Sequence, residues 1–556
     1  MNRAKLILIT LLLIGGRVTT AATTTCEMLA TDPGNGIAGD PDIKSATSVI
    51  VPSAGDNVAY CRVSLLYGTN ANQNINILIG LPLSAADGGS GGVQGAWNGR
   101  TEGLGGSACS GNLDVTPAVN AGYVGSGTDL GHPDGDCEPA VNPDGSYNLQ
   151  FIDDFIRNAI KQEVLWSKKV AQVYYGMRPA FSYWNGCSTG GREGYLLAQE
   201  LGDELNGILA NAPAIYFTRF HTAQIWGQIA MKDLVGGPIA PAKLAQTQAS
   251  AVAACDAADG VTDGIIDNPR TCHFDVTTNI CGTPTAPANN CLTHAEARAI
   301  NLIWDGPRNE RGDKIWFGLD RGSDFSGLDG PVPFPIPVTQ LHWSERDRNF
   351  DWRTVRLDEY PRVAQDGSRN IADLTDTFGP LDIFRAHGGK LLTYVGGNDQ
   401  LIFPHGVINY YRTMALRYSD TDEPDFEKLH SFYRLFRAPG VGHCGTDSTG
   451  PVPVDPFGAL VKWVEEGVPP DTLLAAGGSA APPSGRTRPI CPYPTTAIYN
   501  GTGSIDNAAN FHCGGNLEEP AACTDALVKY KHEEHGKLDF VGSGLDREFC
   551  RFSQFH

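Results

Sequence analysis

The sequence predicts an α/β protein in which short buried strands alternate with amphipathic helices around a parallel sheet that carries one large insertion. Two observations support this prediction: strand-like and helix-like periodicities alternate along the chain, and one interval between such units is too long for a loop. With 556 residues and 41% hydrophobic content, the chain is long enough for one large domain with an insertion or for two domains.

The predicted elements can be placed in chain order. The expected strands are Val58 to Leu66, Asn74 to Leu81, Phe181 to Trp184, Leu391 to Val395 and Phe432 to Phe436. Helical periodicity spans Phe151 to Tyr175, starts again at Gly194 to Leu201, and returns at Phe457 to Glu466. A Gly-rich loop is expected from Gly88 to Gly111.

The chain divides into four predicted segments. Residues 1–22 have the basic start, short apolar run and small residues of a secretory signal peptide, with an uncleaved N-terminal anchor as the alternative. Residues 23–214 and 383–556 are expected to form the two halves of the core, the second ending in a Cys-rich extension. Residues 215–382 are interpreted as an inserted lid domain.

The chain is acidic, with a formal charge of −20 and a pI near 5.0. This argues against nucleic acid and anionic membranes as partners, because both require a positive surface. All 14 cysteines follow the expected cleavage site, and an even number in an exported chain predicts disulfides. We therefore expect a secreted or periplasmic protein that acts on a small substrate and inserts into no membrane.

Residues 186–190, Gly-Cys-Ser-Thr-Gly, have the Gly-x-Ser-x-Gly spacing of a nucleophilic serine at a tight strand-to-helix turn. The flanking glycines permit the turn, and the residue after the serine can offer its backbone N–H to an oxyanion. A predicted strand precedes this motif and a predicted helix follows it. Ser188 is therefore the predicted nucleophile, and Thr189 a predicted oxyanion donor.

Asp399 and His443 follow the next two predicted strands. The chain order is therefore Ser, Asp, His, which is typical of enzymes whose serine lies on a strand-to-helix turn of this kind. Acyl transfer needs a nucleophile, a base and a group that orients the base, and these three residues supply them. The alternatives are an ordinary turn carboxylate for Asp399 and a loop histidine for His443. A disulfide between Cys187 and Cys444, the immediate neighbours of Ser188 and His443, would tie the nucleophile to the base.

A second oxyanion donor is expected in the Gly-rich loop, where backbone N–H groups can approach a ligand closely. Gly106 is the candidate, followed by Gly105, and the alternative is a surface loop without a catalytic role.

The acidic segment at 256–265 carries Asp256, Asp259 and Asp263 within eight residues. Carboxylates this close repel one another unless a cation joins them, and Ca²⁺ takes hard oxygen ligands of this kind. A solvated acidic loop is the alternative. No His/Cys cluster has zinc spacing, and no organic cofactor is expected.

Several motifs together resemble the tannase and feruloyl esterase family, over nearly all of the mature chain. The most specific are Gly-Cys-Ser-Thr-Gly-Gly-Arg at 186–192, Gly-Asn-Asp-Gln-Leu-Ile at 397–402 and Gly-His-Cys-Gly at 442–445. Asn-Gly-Arg before the Gly-rich loop, Gly-Thr-Asp-Leu-Gly-His at 127–132 and Arg-Pro-Ile-Cys-Pro-Tyr-Pro at 488–494 agree with it.

The resemblance implies an α/β-hydrolase core with a large lid, and a triad of Ser188, Asp399 and His443. It implies a structural Ca²⁺ in the lid, bound by the side chains of Asp256, Asp259 and Asp263 and the carbonyls of Val261 and Ile265. The implied disulfides are Cys187–Cys444, Cys26–Cys61, Cys255–Cys272, Cys281–Cys291 and Cys491–Cys513. Cys109–Cys137 and Cys523–Cys550 are expected from the cysteines that remain.

The expected reaction is hydrolysis of esters of aromatic, phenolic acids such as ferulate or gallate through an acyl-enzyme. The lid is expected to set specificity through aromatic and basic residues such as Trp316, Phe317, Arg321, Trp343 and Trp352, each of which could equally be part of the lid core. Ile402 is a further candidate for the pocket. The rival hypotheses are a terephthalate-monoester hydrolase, a peptidase or lactonase on the same core, and a non-catalytic calcium-binding protein.

Overall fold

A nine-stranded sheet lies at the centre of the computed structural model, which describes residues 24–133, 135–309, 314–328, 330, 335–477 and 485–517. The predicted signal peptide at 1–22 and the expected pair Cys523–Cys550 lie outside the described residues. The strands are β1 Ile43–Val51, β2 Tyr60–Tyr67, β3 Ile75–Pro82, β4 Arg100–Leu104, β5 Val124–Thr128, β6 Phe181–Cys187, β7 Gly207–Asn211, β8 Lys390–Gly396, β9 Tyr433–Ala438, β10 Val452–Pro453, β11 Leu473–Ala476, β12 Thr487–Ile490, β13 Thr496–Tyr499 and β14 Phe511–Gly514.

The order in the central sheet is β1-β2-β3-β5-β4-β6-β7-β8-β9. From β5 through β9 the neighbouring strands are parallel, whereas β1, β2, β3 and β5 pair antiparallel. The predicted α/β class is therefore confirmed, with a mixed rather than wholly parallel sheet. The smaller strands form a three-stranded sheet, β10-β11-β12, and a two-stranded one, β13-β14.

The helices cover both faces of the sheet and fill the interval between β7 and β8. They are α1 Cys26–Thr31, α2 Thr116–Asn120, α3 Leu149–Asp153, α4 Ala159–Tyr175, α5 Thr189–Glu200, α6 Phe217–Val235, α7 Pro241–Cys255, α8 His294–Asp305, α9 Pro335–Glu345, α10 Tyr360–Asn370, α11 Ala372–Thr375, α12 Asp382–His387, α13 Pro404–Arg417, α14 Phe426–His430 and α15 Pro456–Glu466. A π-helical segment, Asp154–Asn158, joins α3 to α4.

Strand β6 shows why both faces must be covered. Trp184 packs into the large core on one side, while its neighbour Tyr183 packs with Leu460 and Trp463 of α15 on the other. Successive side chains of a strand point to opposite faces, so a sheet buried on both sides has continuous apolar strands. Because its side chains alternate between the two faces, β6 is packed on both sides up to its carboxyl end, and Ser188 follows directly after that end.

Helices α6 to α11 lie between β7 and β8, within the interval expected to form a lid at 215–382. Helices α6, α9 and α10 share an apolar cluster of their own, which includes Trp226, Leu341 and Tyr360. Phe217 and Trp343, from the same interval, join the main core instead. The interval therefore packs on the main core, where both residues contact Phe155, as well as on itself.

Two sequence expectations near the site need correction. The expected Gly-rich loop contains strand β4, because Arg100 to Leu104 pairs in parallel with both β5 and β6. Helix α5 begins at Thr189, five residues before the expected start at Gly194. Glycine weakens an isolated helix, but tight packing against neighbouring backbone requires it here.

Among the helices of the described residues, none combines the length and the apolar content of a bilayer-spanning segment.

Candidate active site

Ser188 occupies the sharp turn between β6 and α5, with φ 64° and ψ −119°. A positive φ is strained for any residue other than glycine. The sharp strand-to-helix turn that imposes it exposes the serine hydroxyl at the end of the sheet. A Cβ on Gly186 would lie 2.4 Å from the carbonyl carbon of Gly190, and one on Gly190 would lie 2.9 Å from Gly105. The motif therefore needs both glycines because backbone packs directly on backbone.

Asp399 and His443 lie after β8 and β9 and form a hydrogen-bonded pair. His443 Nδ1 donates to Asp399 Oδ2 at 2.9 Å. Asp399 is fully buried, and its other oxygen accepts the N–H groups of Leu401 at 2.9 Å and Ile402 at 2.7 Å. The carboxylate is fixed on three sides, so it determines the orientation of the imidazole and leaves Nε2 free to act.

The pKa of His443 reflects two opposed effects. Burial lowers it, but the charge of Asp399 and the hydrogen bond to it outweigh burial, so the pKa is raised above its ordinary value. Among the described residues, no hydrogen bond joins Ser188 Oγ to His443 Nε2; bonds of this kind are commonly long until substrate is in place.

Cys187 and Cys444 form a disulfide whose Cα atoms are 6.0 Å apart across a sequence separation of 257. Because these cysteines adjoin Ser188 and His443, the bond brings the nucleophile turn and the histidine loop together. The other disulfides in the structure are Cys26–Cys61, Cys109–Cys137, Cys255–Cys272, Cys281–Cys291 and Cys491–Cys513. All five pairs implied by the family resemblance are present, together with Cys109–Cys137.

The backbone N–H of Gly106, expected to receive an oxyanion, is already bound in the structure. It donates to Glu193 Oε2 at 2.8 Å. The alternative donor, Gly105, gives its N–H to Asn185 O at 3.0 Å, which continues the β4–β6 ladder. The prediction that Gly106 or Gly105 donates to an oxyanion is therefore wrong, because both amides hold the loop on its neighbours.

A tight turn at Ser107–Ser110 follows the glycine loop and lies against the start of α5. Ala108 in this turn has φ 54°, and its carbonyl accepts a hydrogen bond from Thr189 Oγ1 at 2.7 Å. Within the described residues, the Ala108 amide donates to no other group. The Thr189 amide is the first of α5, so it has no acceptor within the helix. The N–H groups of Thr189 and Ala108 thus have no hydrogen-bond acceptor among the described residues, and the Thr189 side chain links the two residues. Of the two, the sequence predicted only Thr189.

The acidic segment expected to bind calcium is held by hydrogen bonds to its own backbone and by an ion pair. Asp256 accepts the N–H groups of Asp263 and Gly264 at 3.0 and 2.9 Å, and Asp263 pairs with Arg488. Burial and the neighbouring carboxylates raise the pKa of Asp259 to about 6. In the described parts of the chain, no three His, Cys, Asp or Glu side chains are grouped as metal ligands.

Val261 and Ile265, whose carbonyls are expected to be ligands, donate their N–H groups to Asp259 at 2.9 Å and Asp263 at 3.2 Å, which does not involve those carbonyls. The structure also reveals Asp267, whose pKa is raised to about 7 by burial and by Asp259 and Asp263. Calcium binding stays a prediction.

Three lid tryptophans named as possible substrate contacts are core residues: Trp316, Trp343 and Trp352 are 2%, 1% and 6% exposed. Arg321 stacks on Trp304 at 4.9 Å and donates to Phe274 O at 3.1 Å. The packing alternative therefore describes these residues better. The residue types alone could not distinguish a role in substrate contact from a role in the lid core.

Comparison with known proteins agrees with this geometry. A family model described as tannase and feruloyl esterase matches residues 93–335 and 336–514. A probable feruloyl esterase of Arthroderma benhamiae is 32% identical over 441 residues, covering 75% of this chain and 80% of the relative. A mono(2-hydroxyethyl) terephthalate hydrolase of Piscinibacter sakaiensis is 28% identical, covering 75% and 79%. The solved tannin acyl hydrolase from Aspergillus niger superposes with a TM-score of 0.76 at 22% identity, covering 94% of this chain and 100% of that one.

A serine on a strand–turn–helix, followed by an acid and a histidine after later parallel strands, defines an α/β-hydrolase. The matched segments cover most of the chain, and the chain belongs to the tannase and feruloyl esterase family. It is a carboxylic ester hydrolase.

Proposed function

We propose that the chain is an exported serine esterase that hydrolyses esters of aromatic, phenolic acids such as ferulate or gallate. The observation that carries the proposal is the Asp399–His443 pair, tied to the Ser188 turn by the Cys187–Cys444 disulfide. The six disulfides found among the described residues favour maturation in an oxidising compartment, either outside the cell or in a periplasm.

In the proposed mechanism, Ser188 Oγ attacks the ester carbonyl while His443 Nε2 takes its proton. Asp399 keeps the imidazole oriented and stabilises the imidazolium that forms. The N–H groups of Thr189 and Ala108 receive the developing oxyanion. His443 then protonates the departing alcohol, and water, activated by the same histidine, hydrolyses the acyl-enzyme.

The nature of the acyl group is inferred from relatives whose names point to feruloyl, galloyl and terephthalate esters. All three acids are aromatic, so an aromatic acyl group is the shared chemistry. Methyl ferulate, methyl gallate and a terephthalate monoester form a direct test panel, with an aryl amide and a lactone to examine the peptidase and lactonase alternatives. We expect the phenolic esters to have the highest kcat/KM.

The catalytic assignment is tested with Ser188→Ala. We expect this variant to fold, to lose ester turnover and to lose labelling by a fluorophosphonate probe. Ser53→Ala, at an exposed position, is the matched control and should keep both. Turnover that survives in Ser188→Ala, or a wild-type protein that the probe does not label, would refute the proposal.

A further inference from the structure

The glycine loop at 103–106 is bound from behind by a buried acid. Gly106 N–H donates to Glu193 Oε2 at 2.8 Å, and Gly106 O accepts the N–H of Gly190 at 2.9 Å. Glu193 lies in α5, directly after the nucleophile turn, and is fully buried. The loop is thus joined to the helix of the nucleophile once through a side chain and once through the backbone.

A second buried acid, Glu163 of α4, lies under the other end of this loop. A Cβ on Gly103 would lie 3.1 Å from Glu163 Oε1, so the carboxyl group is in contact with the strand backbone. Ser126 Oγ donates to the same oxygen at 3.1 Å. The two glutamates therefore support successive parts of one short segment.

One guanidinium accompanies the two acids. Arg192 Nη2 lies 3.7 Å from Glu193 Oε1, while Arg192 Nη1 donates to Ile156 O at 3.1 Å. Burial, together with the charge of Glu193, raises the pKa of Glu163 well above its usual range. Burial raises the pKa of Glu193 as well, while the charge of Arg192 and the hydrogen bond from Gly106 act in the opposite direction and favour its carboxylate form.

We propose that Glu193 is a positioning residue for the esterase reaction. Its carboxylate fixes Gly106, and through the glycine loop it sets where the Ser107–Ser110 turn presents its backbone N–H groups beside Thr189. Arg192 supplies the opposite charge beside Glu193, and Glu163 supports the preceding part of the loop at Gly103. The inference rests on the proposed function and assigns none of the three side chains a contact with substrate.

The packing leaves little freedom for the loop to adjust. A Cβ on Gly105 would lie only 2.4 Å from Gly190 Cα, so the loop and α5 are in backbone contact. Removing the Glu193 acceptor leaves the buried Gly106 N–H without a partner, and the loop must move to satisfy it. A displacement of about 1 Å can lower the rate on the order of a hundredfold.

The test compares Glu193→Met, which has a similar length but no acceptor oxygen, with Glu193→Gln, which keeps one. Turnover of a chromogenic aryl ester is expressed per active site, counted by fluorophosphonate labelling, and thermal unfolding is followed in parallel. We expect Glu193→Met to lower kcat by about tenfold to a hundredfold with KM changed less than about threefold. Glu193→Gln should retain kcat within about fivefold, because its oxygen can still accept from Gly106.

A merely structural role would lower the unfolding temperature and the number of active sites but leave kcat per active site unchanged, and that result would overturn the inference. Equal losses in Glu193→Gln and Glu193→Met would also overturn it. If Glu193→Met does not fold, Glu193→Asp tests the positioning role in its place. It keeps the carboxylate charge, but its shorter side chain ends farther from the Gly106 N–H. A lowered kcat supports the inference, and a wild-type kcat overturns it.

The same assay separates this inference from the proposed function. A wild-type protein that neither turns over the ester nor takes up the probe would refute both. An active wild type with an equally active Glu193→Met or Glu193→Asp variant would refute the positioning role alone.

Discussion

Asp399 and His443 meet through a 2.9 Å hydrogen bond although they follow different strands of the sheet. Strands β8 and β9 are parallel neighbours, so the loops at their carboxyl ends lie side by side. The acid is immobilised by two further backbone N–H groups, from Leu401 and Ile402. This relationship determines which protonation state and which ring orientation the histidine presents to Ser188.

Asp399→Asn should lower kcat by about a thousandfold to ten thousandfold without unfolding the protein. The amide is nearly the same size as the carboxylate, but it neither stabilises the imidazolium nor selects the required tautomer. Steady-state turnover of an aryl ester measures the effect. Asp471→Asn, at an acid whose side chain is 90% exposed, serves as the control and should retain full activity. An Asp399→Asn variant as active as this control would contradict the triad assignment.

The pH profile of kcat/KM should show an acid limb above the ordinary histidine pKa of about 6.5. The folded protein raises the pKa of His443 through Asp399, and only the neutral imidazole can act as a base. Activity is therefore lost as the pH falls through this raised value. In Asp399→Asn the carboxylate that raises the pKa of His443 is absent. The acid limb of the residual activity should therefore lie at lower pH. A limb that does not move would show that another group titrates.

Replacing Cys187 and Cys444 together by serine should reduce both stability and kcat. Loss of a cross-link over 257 residues can cost up to about 5 kcal/mol of unfolding free energy. The two catalytic loops also lose their fixed separation, which should lower kcat by on the order of a hundredfold. Denaturant unfolding and steady-state kinetics measure the two effects.

The matched control for this experiment is the double serine variant of Cys491 and Cys513, a pair separated by 22 residues. It should lose stability by about 3 kcal/mol and keep its kcat, because its loop adjoins neither Ser188 nor His443. Equal kcat values for the two double variants would show that the central disulfide has no role beyond stability.

Calcium is expected to raise the unfolding temperature of the protein, and chelation to lower it. Burial and the neighbouring carboxylates raise the pKa of Asp259, and a cation bound to the acidic segment at 256–265 would relieve the repulsion between those carboxylates. At a hundred times the dissociation constant, binding stabilises by about 2.7 kcal/mol. Asp259→Asn should abolish the response to calcium, whereas Asp358→Asn, at an exposed acid of the same interval, should preserve it. No calcium response in the wild type would refute the prediction.

Local patterns were sufficient for much of the architecture. The expected strand at Leu391 to Val395 lies within β8, and the expected helix at Phe457 to Glu466 differs from α15 by one residue. These elements have strong periodicity and clear turn residues at their ends. The motif around Ser188 was informative for the same reason, since its glycines and its context are adjacent in sequence.

Features created by long-range contacts could not be predicted in this way. Strand β4 is rich in polar residues and glycine, and it is a strand only because β5 and β6 supply partners on both sides. The acceptor for Gly106 is Glu193, 87 residues away. No periodicity reports such a pairing, so the sequence suggested a free amide where the structure has a bound one.

None of the six disulfides in the described residues crosses another, and two of them, Cys255–Cys272 and Cys281–Cys291, lie inside the span from Cys187 to Cys444. During synthesis, the thiol at 187 emerges long before its partner at 444 and must remain unused meanwhile. An oxidant that couples cysteines strictly in their order of appearance would join 187 to 255 and trap an inactive isomer. Efficient production of this enzyme therefore calls for a host whose export pathway includes a disulfide isomerase.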